Sequence, residues 1–207
     1  MHPNPVFRQT DAENSLALLR ARAFGTLVVN ADPVPLLSHI PFLLNDDASI
    51  AELHLVRSNP IARLAKDGPI PAKIAVLGPD SYISPDWYGA PDQVPTWNYV
   101  AVHLTGRLEL CPQQDLHAVL DRLSAHFETQ LAPKPPWTSA KMSDGVMEKM
   151  MRAIQPFHFH IEQLDSTWKL GQNKPEDVRK SAAAQLEQAG VGAGLAELAE
   201  WMNTPPK

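Results

Sequence analysis

Gly25-Thr26-Leu27-Val28-Val29-Asn30-Ala31-Asp32-Pro33 decides the fold: a short β-branched run stopped abruptly by turn residues. The pattern then repeats, with a second apolar run over 35–44, a turn at Asn45-Asp46-Asp47 and a third run over 49–56. A parallel crossover needs about a dozen residues, so strands this closely spaced pair antiparallel. Upstream, Thr10-Asp11-Ala12-Glu13 reads as a capping box opening a helix that carries Leu16, Leu19 and Ala23 on one face and ends near Gly25. Downstream, Asn59 and Pro60 read as N-cap and first helical position of a short helix that stops at Gly68.

The remaining chain extends the same scheme. Residues 72–77 read as a fourth strand, and 98–110 as a long strand bent at Gly106. Between them, 78–95 reads as a long loop rich in proline and carrying Tyr82, Trp87 and Tyr88, the kind of loop that is usually functional. Residues 113–131 and 138–154 read as helices separated by Pro133, Pro135 and Pro136, and 157–164 as an alternating strand. An alanine-rich helical tail follows, interrupted by Gly190, Gly192 and Gly194. The class is α+β around an antiparallel sheet or barrel, with peripheral helices. The expected organisation is one domain over 1–174 and a helical tail over 175–207.

Composition narrows the function classes. Hydrophobic residues make up 44% and charged residues 20% of 207, which excludes wholesale disorder. Proline is abundant, and ten of the 20 fall between Pro33 and Pro95, where they must occupy turns and strand edges. The single Cys111 excludes an internal disulfide and a multi-cysteine zinc site. Nothing in the N-terminal sequence reads as a signal peptide and no run approaches ~18 apolar residues, so no membrane span is expected and the cytoplasm is the expected compartment. A net charge of -5 argues against strong direct DNA binding.

Four constellations carry possible chemistry. Arg57-Ser58-Asn59, where a strand meets a helix, suits a phosphate; equally, Asn59 or Ser58 caps the helix and Arg57 is solvated. In Pro95-Thr96-Trp97-Asn98-Tyr99, Trp97 or Tyr99 can wall a ring and Asn98 can supply directional donors, or the tryptophan simply packs in the core. Trp168-Lys169-Leu170-Gly171-Gln172-Asn173-Lys174 offers two lysines and two carboxamides to a carbonyl-rich, partly anionic ligand, or is a polar turn ended by Pro175. His158, His160 and Glu162 share a strand face that is either a three-ligand metal face or a solvated one; no metal is expected there.

Taken in order, Ser38-His39-Ile40-Pro41-Phe42, the 53–60 segment, Gly78-Pro79-Asp80-Ser81-Tyr82-Ile83-Ser84-Pro85-Asp86-Trp87-Tyr88, the 94–100 segment and 168–174 resemble the PaiB-type FMN-binding negative transcriptional regulators. The resemblance covers roughly 1 to 180. It implies a split β-barrel like that of pyridoxamine-phosphate oxidases, working as a homodimer with FMN at the interface. Under it, Arg57, Ser58 and Asn59 suit the flavin phosphate. Lys169, Gln172 and Asn173 suit ring carbonyls or ribityl hydroxyls, and Trp97, Asn98 and Tyr99 the ring itself. His39 and His54, on adjacent expected strands, are further pocket candidates. Two features depart from the family pattern: the histidines of 157–162 and the glycine-rich tail after Ala189. Regulator and FMN-dependent oxidoreductase or flavin reductase both remain open readings, and whether the chain is an enzyme is undecided by sequence.

Overall fold

The β-branched and alternating runs do pair as expected. In the computed structural model, which describes residues 1–189 and 191–207, β1 (Phe24–Val29) pairs antiparallel with β2 (Leu36–Leu44), setting Thr26 opposite His39 and Val28 opposite Leu37. β2 continues to β3 (Ile50–Val56) with Phe42 opposite Leu53, and β3 to β6 (Ile154–Lys169) with Leu53 opposite Phe157. β5 (Thr96–Leu110), β4 (Ile70–Ile83) and the two-residue β7 (Gly192–Ala193) complete the order β1-β2-β3-β6-β5-β4-β7. β1 also pairs with β4, so among the described residues six strands close on themselves and β7 is appended to β4. This is an α+β split barrel.

The chain divides into two compact units. One comprises Met1–Arg22, Val76–His103 and Leu164–Lys207; the other comprises Ala23–Ala75 and Leu104–Gln163. In the second, period-two alternation turns Leu27, Ile40, Phe42, Leu53, Phe157 and Phe159 into the core. α3 (Leu116–Thr129) packs on β2 and β3 and buries Leu116, Val119 and Leu123, spaced i, i+3, i+7. Its Arg122 grips Glu52 of β3 with both guanidinium arms, at 2.7 and 2.8 Å. At Gly106, within the continuous strand β5, the β6 backbone comes so close that a Cβ would lie 1.9 Å from the His160 carbonyl oxygen.

In the first unit, α1 (Ala12–Arg22) buries Leu18 and Leu19, and its Ser15 hydroxyl accepts the Trp168 indole N–H at 3.0 Å. α5 (Glu176–Ala189) and α6 (Leu195–Asn203) pack on each other, and Trp201 of α6 lies tilted against Trp168 at 4.8 Å. The C-terminal Lys207 carbonyl accepts the Asp11 N–H at 2.7 Å, just before α1 begins.

Several elements differ from the sequence reading. The helix expected over 138–154 is realised only as a single turn at Ser139–Lys141 and α4 (Val146–Met151), because Gly145 at φ +73 interrupts it. β4 runs on to Ile83, shortening the expected loop, and β6 is longer at both ends. β7 was not foreseen; it forms where Gly192 lets two backbones approach, since a Cβ there would sit 2.1 Å from the Asp80 carbonyl oxygen. Gly190 lies outside the described residues. No helix among the described residues is long and apolar enough to cross a membrane.

Candidate functional site

The candidate residues divide between the units, and each group is built by its own local chemistry. In the second unit, β3 ends at Val56 and α2 (Pro60–Leu64) begins after three intervening residues. Asn59 caps that helix: its Oδ1 accepts the Ile61 N–H at 2.9 Å, while its Nδ2 donates to the Ser38 hydroxyl at 3.0 Å. Arg57 is exposed but aimed. Its Nε donates to the Arg152 carbonyl at 2.7 Å and Nη2 to Gln113 Oε1. A guanidinium carries five N–H donors, so a held Arg57 beside the exposed Ser58 retains donors for an oxyanion.

The two histidine candidates have different settings. His39 is exposed, with Nδ1 3.1 Å from the Thr26 hydroxyl on β1. His54 lies opposite Pro156 of β6, its Nδ1 buried without a hydrogen-bond partner, and burial pushes its pKa below the ordinary histidine range. The neighbouring strand face sets histidines beside carboxylates: His158 Nε2 is 3.7 Å from Glu52, and His160 Nε2 is 2.7 Å from Glu109. Glu162 is exposed farther along β6. No trio of His, Cys, Asp or Glu among the described residues is arranged to hold a metal.

In the first unit, β5 and the end of β6 supply the rest. Trp97 is 47% exposed, with Tyr82 edge-on at 6.4 Å, so its ring is available as a wall. Asn98 faces inward at 1% exposure, and its Nδ2 donates to the Met202 thioether at 3.3 Å. Tyr99 is half-buried. Gln172 closes its own loop, accepting the Leu170 N–H at 2.8 Å and donating to the Trp168 carbonyl, which leaves the exposed Asn173 as the outward carboxamide. Lys169 donates to the Thr96 hydroxyl at 2.5 Å; burial, and then Lys174, lower its pKa.

Sequence reasoning missed what surrounds Lys174. Its ammonium stands 4.2 Å above the Tyr88 ring and donates to Gln93 Oε1. Tyr88 is 2% exposed and its hydroxyl has no hydrogen-bond partner. The spacing of Lys169 and Lys174 was visible; their convergence with residues 88, 93 and 96 required the fold. Together the donors, all neutral or cationic, suit an anionic, carbonyl-rich ligand such as a flavin nucleotide.

Comparison with known proteins agrees with this chemistry. Residues 1–163 match the family described as "Putative FMN-binding domain". The chain is 29% identical over 204 residues to the protease synthase and sporulation protein PAI 2 of Bacillus subtilis, covering 97% of each. It is 26% identical to an uncharacterized protein of Aspergillus fumigatus, covering 93% of this chain and 91% of that one. Among solved structures, the FAD and heme binding protein of Mycobacterium smegmatis superposes with a TM-score of 0.60 at 18% identity, over 83% of this chain and 78% of that one. The flavocytochrome Anf3 of Azotobacter vinelandii gives 0.55 at 17%, over 86% and 77%.

Proposed function

Because the chain belongs to this FMN-binding domain family, we propose that it is an FMN-binding protein of the PaiB type, acting as a negative transcriptional regulator and assembling as a homodimer. FMN, when bound, supplies one- and two-electron redox chemistry. The chain's own groups bind and orient it. Arg57 and Ser58 are the proposed phosphate donors, with Asn59 fixing the turn that carries them. The second chain of the homodimer supplies the rest of the site: its Lys169 and Asn173 are the proposed donors to ring carbonyls or ribityl hydroxyls, Gln172 holds their loop, Asn98 anchors β5, and Trp97 or Tyr99 walls the ring. His39 and His54 remain pocket candidates in this reading.

The observation that carries the proposal is the aimed, solvent-facing guanidinium of Arg57, held by two acceptors yet paired with no carboxylate among the described residues. The homodimer is supported by an apolar sheet face on β1 and β2, where Phe24 is 46% and Leu37 62% exposed. The test is fluorescence titration of FMN against riboflavin, which lacks only the phosphate. FMN is expected to bind at least tenfold more tightly, about 1.4 kcal/mol, and Arg57→Ala to erase the preference. Equal affinities in the parent chain overturn the phosphate assignment.

The second reading is an FMN-dependent oxidoreductase or flavin reductase. It is favoured by the partly buried lysines of the first unit, which offer a substrate anion two cations with no acid partner among the described residues. Anaerobic bleaching of bound FMN by NADH or NADPH separates it from the regulator.

A further inference from the structure

Partly buried ammonium groups normally lie beside a carboxylate, because an unpaired charge withdrawn from water is costly. Lys169 and Lys174 break that rule. Neither forms an ion pair with any described acid, and each donates instead to a neutral oxygen: the Thr96 hydroxyl and Gln93 Oε1. The nearest acid in sequence, Glu176, is held by Lys180. The two ammoniums are also close enough that Lys174 lowers the pKa of Lys169. Beneath Lys174 the Tyr88 ring contributes its negative face, and the buried Tyr88 hydroxyl has no partner.

We propose that Lys169 and Lys174 form an anion subsite that takes the phosphate or carboxylate group of a small ligand. The fold holds each cation: Lys169 by the end of β6 and its bond to Thr96, Lys174 by the Tyr88 ring and by Gln93, three residues before Thr96. An oxyanion between them relieves their mutual repulsion and replaces two neutral acceptors by a charged one, the stronger kind of hydrogen bond. The subsite goes beyond the flavin assignment and stands on these residues alone. With the FMN phosphate assigned to Arg57 and Ser58, its anion is that of a separate ligand.

The test is trace acetylation of the full chain at pH 8 with mass-spectrometric readout at each lysine, at constant ionic strength. Inorganic phosphate is the probe. It is expected to raise the Lys169 pKa by about half a unit and so slow its acetylation about threefold, with exposed Lys66 and Lys149 unchanged. Lys174→Met abolishes the protection while Lys174→Arg keeps it, and the melting temperatures of both show that the fold is intact. Absence of selective protection, or its persistence in Lys174→Met, overturns the proposal. Protection by FMN but not riboflavin puts the cofactor's phosphate in this subsite and overturns its assignment to Arg57 and Ser58. Further protection by phosphate in the FMN-saturated protein assigns it to a separate ligand. Phosphate protection in a chain that binds no FMN supports the subsite while ending the flavin reading.

Discussion

Cys111 offers a clean chemical readout because it is the chain's one cysteine. It is half-buried, and burial pushes its pKa up to about 11, helped by the negative charges of Glu109, Asp115 and Glu52 and only partly offset by a hydrogen bond from the His158 backbone. A free thiol with pKa about 8.5 is roughly 24% thiolate at pH 8, against roughly 0.1% for Cys111, a deficit of about 240-fold. A more basic thiolate is a better nucleophile, and with a Brønsted slope near 0.45 the gain over 2.5 pH units is about 13-fold. The net expectation is alkylation by iodoacetamide about 20-fold slower than a model thiol, before any steric slowing. The rate is followed from pH 7 to 9.5, where log rate is expected to climb with unit slope and no plateau. The same chain in urea levels off above about pH 8.5. A plateau near pH 8.5 in the folded protein, at the rate of a free thiol, refutes the reasoning and reopens Cys111 as a nucleophile.

Gly106→Ala sets a Cβ 1.9 Å from the His160 carbonyl oxygen and 2.9 Å from its carbon, so backbone must move; a loss of about 3 kcal/mol or more, roughly 6–12 °C in melting temperature, is expected, and a shift within about 1 °C contradicts it. His54 has a depressed pKa in the fold, so below about pH 6.5 the unfolded chain takes up a proton that the native chain refuses, and stability falls with pH. Urea unfolding at pH 7.5 and 5.5 should therefore show His54→Leu gaining on the parent as pH drops, by at most about 1.4 kcal/mol per pH unit; a pH-independent difference removes His54 from the account. The chain alone, at net charge -5, is expected to bind DNA weakly and without sequence choice, and a tight selective gel shift at physiological salt reverses this.

What the sequence determined by itself was local. The runs over 25–56 could pair only antiparallel, because their connections were too short for anything else, and the structure pairs them in that order. Asn59-Pro60 marked a helix start, since cap and proline act within a few residues of each other. The ordered motifs from Ser38 to Lys174 were enough to point to the FMN-binding family. Tertiary structure decided everything that depends on distant partners. The helix expected over 138–154 collapsed to α4, and β7 arose by pairing across more than a hundred residues. Arg57 was readable as a cation, but only the fold supplied Gln113 and Arg152 to aim it. Lys169 and Lys174 were readable as two charges in a turn. That they meet Thr96, Gln93 and Tyr88 is a property of the packed chain, because a charge's partner is set by proximity in space and local sequence pattern has no term for it.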